Sequence, residues 1–308
     1  MANEQAGSAS RSLLDEVEDL CGELAGTVRH TRTAHAGHAR EIAAEAGAEG
    51  VDVVVAVGGD GTSSEAAGGL LDSRRSLSRR PALLIVPAGT GNSFYREVWQ
   101  DRPWQEAMRS ALDVAEPHIR LVDMARIEET GETVLLGACS GLAAEALETA
   151  AAVNGCSGRD RYQEATAITL RTFAPHPSRI TVDGEVIHEG SVVLANVGGG
   201  RYRAGRFLLL PRSVLDDGLL DVCVLTGRFE NAQLMRLVQD GGRTGQIDSD
   251  TEWPGAVYGR GRRVEIERLD GKPLTFERDG ELVRSGHPRY SLRVLPGALP
   301  LLSPLAVT

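Results

Sequence analysis

Three kinds of stretch in this 308-residue chain carry residues that could do chemistry. The first is residues 51–62, VDVVVAVGGDGT, echoed at residues 82–92, ALLIVPAGTGN. Gly58, Gly59 and Gly61 leave the backbone without Cβ atoms, so its N–H groups can close on an anion. A strand, a tight glycine turn and a helix start together make a phosphate cradle. Asp60 stands out there, because a carboxylate beside a phosphate repels it unless a metal ion or a proton compensates. Thr62 and Glu65 have T-x-x-E spacing, which predicts a capping box opening the helix SSEAAGGLL. The second kind is Asp279-Gly280-Glu281, which could supply a general base or simply turn a hairpin, since Asp-Gly between apolar strands is a strong hairpin signal. Asp183-Gly184-Glu185 repeats the pattern and reads as a turn. The third is Asp216-Asp217-Gly218, again a turn locally, whose adjacent carboxylates add weight toward a cation site at Asp217.

Other groups have bland readings beside their sharp ones. Gly137-Ala138-Cys139-Ser140-Gly141 follows a strand and precedes a helix, like a nucleophile elbow with His176, His188 and His287 downstream as bases. The competing reading, a buried and inert Cys139, is the one adopted. His30, His35 and His38 lack an acidic or Cys partner at ligand spacing and read as surface residues. Arg74, Arg75, Arg79 and Arg80 form a basic loop, and Arg201, Arg203 and Arg206 surround a Gly-rich turn. Both sets read as solvated, or as contacts for phosphate or an anionic head group.

The elements that must position these residues fall into two regions. Up to about residue 120, apolar runs alternate with helical patterns, the signature of an open parallel sheet. Leu13, Val17, Leu20 and Leu24 predict a first helix with no strand before it, and an Ala-rich helix covers roughly 35–46. Further helices start at Ser93 and run from Pro103 to about 115. Beyond residue 120 the pattern changes. Helices are expected at about 141–153 and 161–173, and strands at RLVDMARI, TVLLGAC, RITVDG, SVVLANV, RFLLLP and LLDVCVL. After a helix at ENAQLMRLVQD come strands at AVYGRGRRVEIERL, PLTFERDGELV and RYSLRVLP. Short strands with Asp-Gly and Gly-rich turns predict an antiparallel sandwich. The expected organisation is therefore an α/β nucleotide-binding domain over 1–120 and a β-sandwich domain over 121–296, with 297–308 returning to the first.

Composition narrows the function. A net charge of −10 and few aromatic residues argue against a nucleic-acid binder. Four scattered cysteines without a C-x-x-C pair predict reduced thiols. No apolar run reaches about 18 residues, and the N-terminus lacks a signal pattern, so a cytoplasmic location is expected.

GGDGT at 58–62 followed by Glu65, and PAGTGN at 87–92 after a second strand, resemble the catalytic domain of diacylglycerol kinases, a family extending to bacterial lipid kinases and sphingosine kinases. GLAAEA at 141–146, ANVGGGRYRAGRFLLLPRSVLDDGLLDV at 195–222 and the DGE at 279–281 agree in order, so the resemblance covers nearly the whole chain. It implies an α/β nucleotide domain and a β-sandwich domain with the active site in the cleft between them. It implies ATP- and Mg²⁺-dependent phosphorylation of a hydroxyl, as in phospholipid biosynthesis. By motif, Gly58, Gly59, Asp60, Gly61 and Thr62, with Gly89, Thr90, Gly91 and Asn92, would line the ATP site, with Glu65 close by. Asp279 would be the general base, and Glu281 its neighbour in a Mg²⁺-linked acidic network that includes Asp60. Asp217 looks like the structural metal ligand. A homodimer and peripheral contact with the inner membrane surface would also fit the resemblance.

Four departures matter. The family's opening strand and Asn-Pro-x-x-Gly loop have only Asn3-Glu4-Gln5-Ala6-Gly7 to correspond to, so either the true start lies upstream or the phosphate site is incomplete. Ser64 stands where Asn usually precedes the family's Glu, and Ser93 where Asp often follows GTGN. No Lys occurs before Lys272, so basic phosphate contacts must come from Arg. The leading expectation is an ATP-dependent kinase of a lipid such as diacylglycerol. Kept beside it are a kinase of a soluble alcohol (NAD kinases share the GGDGT loop) and a non-catalytic nucleotide- or lipid-binding relative.

Overall fold

Val53–Gly58 (β1) and Ala82–Pro87 (β2) pair in parallel with Val53 opposite Ala82 and Gly58 opposite Pro87. Their runs of valine, leucine and isoleucine suit a strand buried on both faces. In this computed structural model, residues 1–308 are described except 5, 8, 74–75, 113–117, 154, 156–157, 204–206, 228–254 and 305–308. The expected helix at ENAQLMRLVQD, with Arg74, Arg75, Arg206 and Cys156, lies outside the described residues. The chain forms two units, Met1–Val122 with Gly297–Thr308, and Asp123–Pro296.

In the first unit, helices Arg11–Leu24 (α1), His38–Glu49 (α2), Asp60–Asp72 (α3), Ser93–Trp99 (α4) and Trp104–Leu112 (α5) alternate with β1 and β2. The sheet is wider than the sequence suggests. Ala2 bridges Val57 and Arg32, both in parallel. Asn3 N–H donates to the Val57 carbonyl, and Val57 N–H to that of Met1. A short extended segment therefore does precede the first helix. It escaped prediction because MAN has no strand-like run and is held by its neighbours' backbone groups. On the other side Leu301 pairs with Leu83 in parallel. Helices α2 and α3 cross where Gly47 and Gly69 remove side chains: a Cβ on Gly69 would overlap the Arg40 carbonyl.

The second unit is antiparallel. Ile119–Ile127 (β3) leads into it, followed by Thr133–Val134 (β4), Gly137–Gly141 (β5), Leu142–Ala150 (α6) and Gly158–Thr172 (α7). The remaining strands are His176–Val182 (β6), Glu185–Gly198 (β7), Tyr202–Arg203 (β8), Phe207–Leu208 (β9), Leu220–Thr226 (β10), Ala256–Gly261 (β11), Arg263–Arg268 (β12), Phe276–Arg278 (β13), Glu281–Leu282 (β14) and Arg289–Leu302 (β15). The long β7 serves two layers. Its first half pairs with β6, which continues to β12 and β15. Its second half lies between β5 and β10. Ala138, Ala195, Val197, Val222 and Val224 from one layer pack with Ile180, Val264, Ile266 and Leu292 from the other. On the opposite face of the first of these layers, Cys139, Leu194, Cys223 and Leu225 pack with Leu142 and Leu170 of the helices. The result is a β-sandwich with helices on one side.

PLTFERDGELV folds back on itself at Asp279-Gly280 as β13 and β14. Two other predicted strands are broken, and for one reason. TVLLGAC divides into β4 and β5 because the N–H groups of Leu135, Leu136 and Gly137 donate to the Asp279 carboxylate. AVYGRGRRVEIERL divides into β11 and β12 where Arg262 and Arg263 N–H groups donate to Asp183. RFLLLP retains strand pairing only at β9, whereas RYSLRVLP and ALPLL run on as one strand, β15.

The crossing of α2 and α3 predicts that Gly69→Ala destabilises the protein by about 1–3 kcal/mol, as overpacking does. Gly22→Ala in α1, whose Cβ would meet nothing within 4 Å, should instead stabilise by about 0.5–1 kcal/mol. Chemical unfolding of the two variants checks both signs.

Candidate functional site

In the first unit, the two glycine turns are built against each other. Both β1 and β2 end there, at the carboxyl edge of a parallel sheet where ligands of open α/β folds bind. Ala88 N–H donates to the Gly58 carbonyl at 2.8 Å. A Cβ on Gly59 would lie 3.1 Å from Gly89 Cα, and one on Gly89 would overlap Gly59 Cα. This backbone-on-backbone approach needs glycine on both sides. A Cβ on Gly58 would strike the Thr62 side chain.

Asp60 does not confront an anion. Its Oδ2 accepts from Ser93 N–H and its Oδ1 from Phe94 N–H, both at 3.0 Å. Its charge therefore caps α4, whose own N-cap residue, Asn92, sits at φ 55° and caps nothing. Asn92 instead closes the second turn: Gly89 N–H donates to its Oδ1 at 2.9 Å, and its Nδ2 donates to the Gly89 carbonyl at 2.8 Å. Thr90 and Gly91 form the exposed and half-buried crest of that turn. By contrast α3 starts at Asp60 behind Gly59 with no side chain capping it.

The Thr62–Glu65 capping box does not form. Glu65 reaches across to α2, where its Oε1 and Oε2 accept from Gly37 and Ala39 N–H. Thr62 Oγ1 accepts from Asn3 Nδ2 at 3.1 Å. The helix begins three residues earlier than the box requires, which frees both side chains for distant partners. The same Asn3 contact bears on the first departure noted in the sequence. Asn3 and Gly7 lie against the glycine turns, and a Cβ on Gly7 would come within 2.9 Å of Thr90 Oγ1.

In the second unit, Asp279 and Gly280 make a two-residue hairpin between β13 and β14, with φ 48° and 87°. Positive φ at both positions is what a type I′ turn demands. Asp183 and Gly184 do the same at φ 49° and 89°. The two copies differ in burial: Asp183 is exposed, whereas Asp279 is 5% exposed. Asp279 Oδ1 accepts from Leu136 at 2.8 Å and Gly137 at 3.0 Å, and Oδ2 from Leu135 at 2.8 Å. Its own N–H donates back to the Gly137 carbonyl. Glu281 pairs with Arg278 at 3.3 Å and borders a cavity of about 400 Å³. Leu147, Ala150, Ala151 and Leu282 give that cavity an apolar wall, and Arg161, Tyr162 and Arg284 a polar one.

Asp217 is committed elsewhere. Its Oδ1 accepts from Leu219 N–H, and its Oδ2 lies 3.1 Å from the Arg260 guanidinium. A guanidinium is already the cation at this carboxylate, so the arrangement does not fit a metal ligand. Arg260 also binds Asp221, which is fully buried. Arg203 is turned inward as well, its Nε donating to Asn196 Oδ1 at 2.8 Å, while Arg201 stacks over Tyr202. Glu41 does join His35 and His38, with ligand atoms within 4.8 Å of one another. However, His38 Nδ1 accepts from Ala34 N–H, so its Nε2 holds the proton of the neutral ring rather than a lone pair.

Sequence reading missed Glu277. It is 7% exposed, directly opposite Cys139, and its Oε2 accepts from Gly280 N–H at 2.8 Å. Burial raises its carboxyl pKa, opposed by the Arg203 charge and by a hydrogen bond with Cys139. Its position on β13, two residues before Asp279, was the only available signal. Burial also pushes the Cys139 thiol well above its usual range, helped by Glu277. A protonated, enclosed thiol is not a nucleophile.

Sequence comparison gives two matches that together span most of the chain. The diacylglycerol kinase catalytic domain matches residues 1–127, and the YegS C-terminal NAD kinase beta sandwich-like domain matches residues 137–303. A probable lipid kinase YegS-like protein of Stenotrophomonas maltophilia (strain K279a) is 29% identical over 92% of this chain and 90% of its own length. One from Xanthomonas oryzae pv. oryzae (strain MAFF 311018) is 32% identical over 86% of each. Among solved structures, a diacylglycerol kinase from Bacillus anthracis str. Sterne shares the fold at TM-score 0.73 and 23% identity, covering 100% of this chain and 96% of its own. A second solved chain from that strain aligns at TM-score 0.77 and 25% identity, over 99% and 97% of the two chains.

The enclosure of Cys139 predicts that iodoacetamide leaves it unmodified in the native protein and alkylates it in concentrated guanidinium chloride. Peptide mapping of both samples reads the outcome; native-state alkylation at Cys139 would restore the nucleophile reading.

Proposed function

This chain belongs to the diacylglycerol kinase catalytic-domain family, and on that premise we propose that it is an ATP-dependent kinase phosphorylating a hydroxyl of a lipid such as diacylglycerol. The observation that carries the nucleotide half is the contact of Gly59 with Gly89 at the ends of two parallel strands. It leaves bare backbone beside the start of α3, where first-turn N–H groups can meet phosphate oxygens. Asp60 is compatible with an anion there because its charge is spent on α4. Asn3 and Gly7 supply the third side of the cradle, which counts against the non-catalytic reading.

Transfer to a hydroxyl asks mainly for positioning and charge neutralisation. On this reading Asp279 takes the acceptor's proton by giving up one of its three backbone N–H partners. Glu281, at the cavity beside it, helps to orient the acceptor. Mg²⁺ would enter on the nucleotide's phosphates and neutralise them, with no protein ligand assigned to it. The apolar wall of the cavity suits an acyl or alkyl tail, and peripheral contact with a membrane would deliver such a substrate. Arg161, Tyr162 and Arg284 on the other wall favour a polar head, which keeps a soluble alcohol as the second reading.

Calorimetry should detect ATP binding in the presence of Mg²⁺, and Gly89→Ala should weaken it at least tenfold, because the new methyl occupies the Gly59 backbone. An absence of ATP affinity in the unaltered protein would end the kinase reading. With radiolabelled ATP, phosphate should appear on diacylglycerol in mixed micelles rather than on soluble alcohols; the reverse selects the second reading. Asp279→Asn should abolish turnover while ATP affinity stays within about twofold, and retained turnover would remove the base assignment.

A further inference from the structure

The Asp279-Gly280 turn is held from two directions. On one, the Asp279 carboxylate binds the N–H groups of residues 135–137. On the other, Gly280 N–H donates to Glu277 Oε2. Glu277 lies in a row across one face of the sheet, in register with Cys139, then Asn196, then Cys223. Leu142, Leu170 and Leu194 pack on that face, so an apolar residue would be the ordinary occupant. A carboxylate there is costly unless it is compensated. Compensation is built in: Cys139 hydrogen-bonds with it, and the Arg203 guanidinium acts on it electrostatically. Arg203 is itself fixed by Asn196 Oδ1 and the Val197 carbonyl. It has room because a Cβ on Gly137 would overlap its Nη2.

We propose that Glu277 is a positioning residue for phosphoryl transfer: by holding Gly280 N–H it keeps the 279–280 turn formed while Asp279 exchanges a backbone partner for the acceptor hydroxyl. The inference rests on the kinase reading. It follows from a simple requirement. The turn is secured at Asp279 by its carboxylate and by its N–H bond to the Gly137 carbonyl. A base that must release a side-chain hydrogen bond during turnover leaves the Gly280 half of the turn to another side chain. Glu277 is the second anchor, and Arg203 with Cys139 holds it in place.

The test compares Glu277→Leu with Glu277→Gln. Leucine removes the acceptor, so exchange of the Gly280 amide, followed by nuclear magnetic resonance, should accelerate about 10- to 100-fold. In the same variant kcat should fall on the order of 100-fold, with the KM for ATP within about twofold. Glutamine keeps an acceptor oxygen and should restore Gly280 protection and return kcat to within about tenfold. The inference is overturned if a folded Glu277→Leu variant keeps Gly280 protection, or if its kcat is unchanged. Equal losses in both variants accompanied by a raised KM for ATP would also overturn it, since that signals general damage. Glu277→Ala replaces the leucine variant if the latter does not fold. If the unaltered protein binds ATP and phosphorylates no acceptor, the kinase reading fails by itself, and Gly280 exchange still decides whether Glu277 anchors the turn.

Discussion

A carboxylate accepting backbone N–H groups from a distant segment is the interaction on which this structure most depends. Asp60 holds the start of α4, Glu65 the start of α2, and Asp279 the gap between β4 and β5. Asp183 does the same at the gap between β11 and β12, and Asp123 accepts from Gly218. In each case the anion satisfies donors that neither helix nor sheet would otherwise pair, and at Asp279 those donors are buried, where they cannot be left unpaired. The residues that look reactive by type are thus the ones that pin the loops in which reactivity would sit. Catalysis on this scaffold must borrow from interactions that also hold it together.

The two D-G-E turns make the point most directly. They share backbone angles, and each aspartate breaks a neighbouring strand by capturing its N–H groups. What separates them is surroundings: one is exposed, and the other is enclosed beside Glu277 and a cavity. Local chemistry is the same; burial decides what that chemistry can be used for.

The sequence displayed its strands and their ends well, because an apolar run followed by glycines depends on near neighbours alone. The parallel pairing of 53–58 with 82–87 and the sandwich beyond residue 120 followed from such runs. The partners of the polar residues were a different matter. Asp60 binds residues 33 and 34 positions away, and Asp279 binds residues 142 to 144 positions away. No spacing rule reaches that far, so Thr62 and Glu65 were assigned to each other when both belong to other segments. Glu277 was invisible for a related reason: a charged residue in a strand reads as an outward-facing one until its neighbours across the sheet are known.

The pairing of Leu301 with Leu83 has a consequence for how the protein is made. The strand that covers β2 belongs to the same unit but is separated from it along the chain by the whole of residues 123–296. At roughly 5–20 residues per second, a ribosome needs on the order of ten to thirty-five seconds to translate that interval. Throughout it the nascent first unit exposes an apolar strand edge, which invites pairing with any other chain nearby. The segment around Leu301 therefore acts as a closing seal, and the sheet that receives it must be kept from aggregation until it emerges.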